Sequence, residues 1–507
     1  MPRACVPQPA SCAELRRSYT RRPRHAEAWA YRLRTPVVAA LSGAERKSLQ
    51  LELLRLAMPV MLHGLVATVV FFTDRLLLGN HSRDAIGSMG ISGPLLWSVF
   101  TIFSAYGPAI VALVGRAHGA GDQERARATT RGAMTVAMLM GIGVALTGWF
   151  GAEAITNVLA GPSAESAGIR EQAASYIRVV SASAPLYLVA MALGTAMQAS
   201  GNTVTPMVAG ITAGVVNLAV SWVLVFGQFG APQLGVLGAA IGSVCAFVAE
   251  SLVLFLALGT RRSRHLLFGP VSPGMVREQT ISMWPLAWPV LGERAVFHAG
   301  FTVFTAQVGH LGPVALAAHQ AVIAVESISF IAADAFGIAA GALTAQKLGA
   351  GRPDQARSAA RFAVFVAVVT LAVIGLVFAV FPAVLVSPFS READVNAQAA
   401  TALLIAALAQ PVMAFCDAVA GILRGAGDTR TPMMTAIAGP LLFRISACYV
   451  LAYPMGLGLA GIWIGTTLDW YVRALWLGTA FYKEKWLHLK LRGTAAVPAV
   501  VSHSEGA

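Results

Sequence analysis

The chain has 507 residues, of which 56% are hydrophobic and only 12% charged, with mean hydropathy +0.67 and formal net charge +13. A water-soluble chain carries about 25% charged residues, so this composition excludes a large soluble helical core. Five cysteines at positions 5, 12, 245, 416 and 448 form no C-x-x-C pair, which gives neither a metal site nor a disulfide framework.

Residues 1–50 read as a basic tail, disordered and cytoplasmic or the product of an over-long start; Arg16, Arg17, Arg21, Arg22 and Arg24 fall within it. Its Arg-Arg pairs resemble a twin-arginine signal, but no apolar region follows them closely. Twelve apolar blocks come next, at approximately 53–79, 91–115, 132–152, 175–199, 205–227, 235–259, 281–309, 313–345, 361–386, 400–423, 432–454 and 457–482. Several exceed the ~18 consecutive apolar residues that read as a membrane span. Segment 205–226 carries no charge at all, and 281–309 and 313–345 are long enough to require tilt or a bend. The spans divide the chain into an N-terminal six-helix bundle (51–260), a cytoplasmic linker (261–280), a C-terminal six-helix bundle (281–485) and a cytoplasmic tail (486–507).

Of the 37 Lys and Arg, 28 fall in the two tails and the alternate loops that share their side. The opposite loops hold four: Arg83, Arg170, Arg178 and Arg391. Cytoplasmic loops hold the excess of basic residues, so both termini are expected inside. Topology thus accounts for a pI near 10, and nucleic-acid binding is not needed to explain it.

Sliding the chain on itself by 230 residues aligns Ala57, Pro59 and Val60 with Ala287, Pro289 and Val290. The same shift aligns Gly119-Ala120-Gly121 with Gly349-Ala350-Gly351, and Arg127 and Arg131 with Arg357 and Arg361. At a shift of 226, Gly201-Asn-Thr-Val-Thr-Pro-Met207 meets Gly427-Asp-Thr-Arg-Thr-Pro-Met433, and Gly238-Ala-Ala-Ile-Gly242 resembles Gly461-Ile-Trp-Ile-Gly465. Six spans per half make the repeats parallel, related by an axis along the membrane normal, with a cleft between them as the natural substrate site. The fold expected is therefore all-α and polytopic: twelve transmembrane helices in two parallel six-helix bundles. Thr205-Pro206 and Thr431-Pro432 read as an N-cap followed by proline in the first turn. No G-x-x-x-x-G-K-[ST] exists, so the Gly-Ala-Gly segments are helix ends rather than phosphate cradles and transport cannot rest on nucleotide hydrolysis.

The repeats frame a set of motifs: Pro59 and Phe72-Thr73-Asp74 in helix 1, Gly119-Ala-Gly-Asp122 after helix 2, and Pro285 with Glu293 in helix 7. They continue with Ala317-Ala-His-Gln320 in helix 8, Gly349-Ala-Gly351 after it, Cys416-Asp417-Ala418 in helix 10 and Leu423-Arg-Gly-Ala-Gly-Asp428 at its end. In this order and spacing, residues 50–485 resemble the multidrug and toxic compound extrusion (MATE) transporters, closest to the NorM-type branch. The resemblance implies export of amphipathic, often cationic small molecules in exchange for inward protons or sodium ions. It places the coupling and substrate-binding carboxylates at Asp74, Glu293 and Asp417, with sodium admissible at the last two. It implies no catalytic residue, no bound metal and no cofactor beyond the coupling ion, and a monomer among the lipids of a bacterial inner membrane.

A charge near the bilayer centre costs at least ~2.5–3.5 kcal/mol, so each buried acid needs a reason. Binding an ion is one; pairing with a basic neighbour is the other. Arg75 and Arg294 directly follow Asp74 and Glu293, but adjacent helical residues do not face each other. At repeat-equivalent positions Asp74, Glu293 and Asp417 meet Phe304, His63 and Met191, so the scaffold repeats while these acids do not. Glu326, His319 and Gln320 are candidate cavity-lining residues, although His63, His298 and His319 read more naturally as packed histidines. Asp469 and Arg473 at i, i+4 are expected to pair, and Arg444 to neutralise an acid of helix 10 or 12. Glu250 and Asp334 receive no role. Two alternatives fit less well. A lipid-linked precursor flippase usually lines its cleft with basic residues, and a polytopic membrane enzyme needs a nucleophile–base cluster that His63, His298, His310 and His319 do not form.

Overall fold

The computed structural model describes residues 42–160, 167–260 and 263–493. Most of the basic tail, Cys5, Cys12, residues 494–507 and the side chain of Arg75 therefore lie outside what is described. The first half comprises α1 (Gly43–His81), α2 (Arg83–Ser104) continued by α3 (Gly107–Gly119), α4 (Gln123–Ala160), α5 (Ala167–Ala182) continued by α6 (Ala184–Ala199), α7 (Val204–Phe226) and α8 (Val236–Ala257). The second comprises α9 (Pro273–His310), α10 (Pro313–Gly349), α11 (Pro353–Val380), a short α12 (Pro382–Val386) and α13 (Ala393–Ala426). It closes with α14 (Arg430–Ala436), a π-helical stretch (Ile437–Arg444), α15 (Ile445–Ala452) and α16 (Gly458–Tyr482).

Taking α2–α3, α5–α6 and α14–α15 as one span each gives six spans per half and twelve in all. Among the described residues, nine are long and apolar enough to cross a membrane, and a tenth when the pair α5–α6, bent by 49°, counts as one. The other two, α9 and α16, are 38 and 25 residues long and carry ionisable residues in mid-helix. α9 starts at Pro273, within the segment assigned above to the linker.

Local sequence sets the ends of these helices twice over. The side chain of Asn202 accepts from the Thr205 amide at 3.2 Å, and that of Asp428 from the Thr431 amide at 3.0 Å. The capping side chains are thus Asn202 and Asp428 rather than Thr205 and Thr431, because an Asx carboxamide or carboxylate three residues earlier reaches the free amide better. Gly121 and Gly351 both turn the chain at positive φ (73° and 71°), a conformation open to glycine at little cost. Pro440 lies inside the π-helical stretch, where its missing N–H loosens the ladder.

The two halves meet mainly through α3 against α10 and α4 against α9. The contact obeys the repeat. A Cβ on Gly119 would come within 1.9 Å of the Gln346 carbonyl oxygen, and one on Gly349 within 2.1 Å of that of Arg116. Gln346 is Arg116 shifted by 230, so the same contact is made twice about the pseudo-twofold axis. Side chains repeat it: Arg116 Nη2 donates to the carbonyl of Ala426 at 2.8 Å, and Gln346 Nε2 to that of Ala199 at 2.7 Å. Each acceptor is the last residue of its helix.

All four residues lie at the end of the molecule where the basic loops gather, called here the basic end. Towards that end the apolar clusters are shared between halves. Leu53, Leu56 and Ala57 of α1 pack with Phe336, Leu343 and Met413, and Met283, Leu286 and Ala287 of α9 pack with the α3–α6 core. Towards the opposite end the clusters separate: one holds only residues between 78 and 240, the other only residues between 304 and 463. The bundles are therefore joined at the basic end and independently packed at the far end.

Candidate ion and substrate site

A cavity of ≈ 540 Å³ lies between α1, α6, α7 and α8 of the first half and α10 of the second. That volume is of the size that takes a drug-sized molecule. One face of each helix supplies its wall: His63, Ala67, Val70 and Asp74 of α1 follow a helical spacing, as do Ser243, Phe247 and Glu250 of α8. Small residues on α7, Gly210 and Gly214, leave the space; a Cβ on Gly210 would come within 2.4 Å of the His63 ring. Among the described side chains no Lys or Arg lines the cavity, while three acids do: Asp74, Glu250 and Asp334.

Asp74 is 8% exposed, and its Oδ1 has no hydrogen-bond partner. The Asn217 carboxamide faces it, and Asn217 in turn donates to Ser243 Oγ at 3.4 Å. A carboxylate with a free buried oxygen and no described Lys or Arg facing it is poised for a cation or a proton.

Glu293 and Asp417 lie elsewhere. Glu293 is ion-paired with Arg424 across α9 and α13. Asp417 sits in the field of Arg473, Arg424 and Arg294, with Asp334 as its acidic neighbour. Asp334, on α10, is thus the residue that stands between the cavity and this second cluster. Arg424 holds Oε1 of Glu293, while its buried Oε2 has no hydrogen-bond partner, so a sodium ion there would sit beside the guanidinium. Among the described residues no group of three or more His, Cys, Asp or Glu is placed to hold a metal.

The three cavity candidates on α10 also lie outside it. His319 is enclosed by Phe304 and Trp463, at ring separations of 5.3 and 5.6 Å. Glu326 accepts from Gln410 Nε2 at 3.0 Å in a buried position, and Gln320 is exposed. His298 hydrogen-bonds Ser98 at 3.0 Å and packs on Trp97, a structural contact between the bundles. Arg444 neutralises the fully buried Asp469 at 2.7 Å, so the helix-12 acid finds Arg444 and not Arg473, whose guanidinium lies 4.3 Å over the Trp470 ring. The π-helical turn ending at Arg444 widens the helix there, which accounts for this choice over the i, i+4 neighbour.

Sequence reasoning passed over Glu250, Asn217 and Asp334. A signal for two of them existed: Glu250 is the lone acid in the span 235–259, and Asn217 the lone amide in an uncharged span.

Comparison with known proteins agrees on the fold and on the family. The MatE family profile matches residues 59–223 and 289–450, once in each half. A "Probable multidrug resistance protein NorM" from Thermotoga maritima is 25% identical over 447 residues, covering 88% of this chain and 95% of its own. One from Rhizobium meliloti is 28% identical over 467 residues, covering 88% and 94%. Among solved structures, a mutant of the Vibrio cholerae MATE transporter VcmN superposes with TM-score 0.80 at 18% identity, covering 88% of this chain and all of the other. An outward-facing multidrug resistance MATE family transporter superposes with TM-score 0.79 at 16% identity, covering 86% and 97%.

Proposed function

Since this chain belongs to the MatE family of multidrug efflux transporters, we propose that it exports amphipathic, often cationic small molecules in exchange for inward-moving protons or sodium ions. The observation that carries this reading is Asp74: buried, with one oxygen unpaired, in a cavity walled by both halves and, among the described side chains, holding no Lys or Arg. A negative charge there is costly when the site is empty, and either a coupling ion or a cationic substrate relieves that cost. The two compete for one charge, and such competition is what makes exchange obligatory.

The coupling ion acts at Asp74. Glu293 and Asp417, set among Arg294, Arg424 and Arg473, support it through a charge network in the second half. The bundles, joined at the basic end and separate at the far end, rock about the pseudo-twofold axis to open the cavity to each side in turn. The basic end faces the cytoplasm by the distribution of Lys and Arg, so this state opens outward, across a bacterial inner membrane, with both termini inside. The cavity is complete within one chain, which favours a working monomer. One charge crossing 100 mV supplies ~2.3 kcal/mol, enough for a roughly 50-fold substrate gradient.

Flux of a monocationic dye in proteoliposomes, with pH and sodium gradients imposed separately, tests this reading. Uphill movement under at least one gradient is expected; flux indifferent to both would overturn it. In the same assay Asp417→Asn is expected to leave the protein folded and abolish gradient-driven export. Full export by that variant would remove Asp417 from the coupling network.

A further inference from the structure

The chain leaves α16 at the basic end through a turn at Glu484, whose φ of 55° is uncommon for a residue with a side chain. Arg357 and Arg361 of α11 hold that turn, each ion-paired with Glu484 Oε1, at 2.8 and 3.1 Å. A single 3-10 turn (Lys485–His488) follows, with Trp486 stacked on Phe481 and both Trp486 and Leu487 buried among residues of α11, α13 and α16. The segment is thus rooted in the second half. Beyond the root it runs on to the first. Arg116 Nη1 of α3 donates to the Leu489 carbonyl at 2.9 Å. Leu491 lies over Gly427 at the end of α13, where a Cβ would come within 2.3 Å of it, and packs against the apolar cluster of α3, α4 and α6. Gln279, 1% exposed on the part of α9 that packs with α4, donates to the Gly493 carbonyl at 2.7 Å and accepts from Thr129 of α4 at 3.1 Å. Lys490 and Arg492, alternating with these inward residues, are exposed, as an extended segment with one face on protein requires.

The repeat shows what is particular to this segment. In the first half Arg127 and Arg131 donate to the carbonyls of His265, Leu267, Gly269 and Pro270, in the linker that leaves α8. Their repeat partners Arg357 and Arg361 hold Glu484, so each half pins the segment that leaves its last helix. The linker then continues as α9, whereas the tip of the later segment rests on Arg116, Leu491 and Gln279. Arg116 itself departs from the repeat. Its partner Gln346 reaches one helix-end carbonyl, that of Ala199. Arg116 reaches the equivalent carbonyl of Ala426 with Nη2 and has Nη1 left for Leu489. The longer, forked side chain stands in the half that the segment crosses to.

We propose that residues 488–493 are a releasable strap, rooted in the second half and latched onto the first by Arg116, Leu491 and Gln279, that holds the basic end closed and comes off when it opens. This goes beyond the export reading and rests on the rocking motion within it. A contact made in one of two states shifts their equilibrium by the free energy it contributes to that state alone. The strap bridges the seam that rocking must part, so its contacts favour the state closed at the basic end. Each bundle keeps its own packing when the strap leaves, because the root at Trp486 and Leu487 stays buried.

The test reads the ratio of open to closed basic ends from spin labels at the exposed Glu124 and Arg352, with the protein in lipid nanodiscs and no gradient. Arg116→Gln removes the strap contact and, as Gln346 does in the other half, can still reach the helix-end carbonyl. It is expected to raise the ratio about tenfold, the scale of one lost hydrogen bond from a charged donor. A chain ended after Leu487 keeps the root and loses the latch, and should raise it at least as much. A chain ended after Gly493 keeps the whole strap and should match wild type. The first two variants alter distant parts of the chain, so misfolding of one leaves the other to decide. Two wild-type distances whose proportions stay unchanged in both would overturn the strap alone, as would an equal shift on ending the chain after Gly493. One fixed distance in every protein would overturn the strap and the rocking motion together.

Discussion

Asp74→Asn is expected to abolish uphill export while the protein still inserts, folds and equilibrates substrate slowly down its gradient. Asparagine keeps the shape of the side chain and its contact with Asn217, so the packing of α1 against α7 is undisturbed. What disappears is the charge for which ion and substrate compete. A hydrogen bond or ion contact to a charged group contributes about 1.5–3 kcal/mol, so affinity for a monocation should fall roughly 10- to 150-fold. Coupling should fall further, because the buried, unpaired carboxylate oxygen at which the coupling ion is proposed to act is gone. Substrate efflux and ion influx measured together give the ratio. Efflux of wild-type size with its ion flux intact would move the coupling site away from Asp74.

Gly119→Val should stop transport for a different reason. The Gly119 Cα faces the Gln346 carbonyl so closely that a Cβ would sit 1.9 Å from its oxygen, against 3.4 Å or more in ordinary contact. The clash is with backbone, which cannot rotate away, so α3 and α10 must part at the basic end. Overpacking of this kind costs about 1–3 kcal/mol when neighbours can yield, and more when they cannot. Because the contact exists only where the bundles meet, the cost falls on the state closed at the basic end and not on either bundle alone. Export should drop at least about tenfold, the factor that 1.4 kcal/mol imposes on a two-state equilibrium, while thermal stability of the separate bundles is kept. Gly349→Val should behave alike by the pseudo-twofold relation. Wild-type transport by both variants would show that the basic end need not close.

Much of this was legible in the sequence for physical reasons. Spans are legible because lipid demands uninterrupted apolar length, and the repeat because both halves need the same turns: Gly121 and Gly351 at positive φ, Asn202 and Asp428 as caps. Asp74 was legible as a buried charge in a span, and its unpaired oxygen bears on why it is there. Pairings were less so. Glu293 meets Arg424 across 131 residues, and although Arg444 does neutralise a helix-12 acid as expected, it takes Asp469 in place of the i, i+4 neighbour Arg473, beside a π-helical turn that no hydropathy pattern announces.

The proposed rocking of two rigid bundles exchanges a closed basic end for a closed far end. Spin labels at Phe229, in the far-end loop of the first half, and at Met455, in that of the second, report it directly, since both side chains are exposed (88% and 59%). A second pair at Glu124 and Arg352 reports the basic end. Each pair should show two distances whose proportions shift with the coupling ion, the far-end distance shortening as the basic-end distance lengthens. Two distances that stay fixed, or that change in the same direction, would rule out this rocking motion.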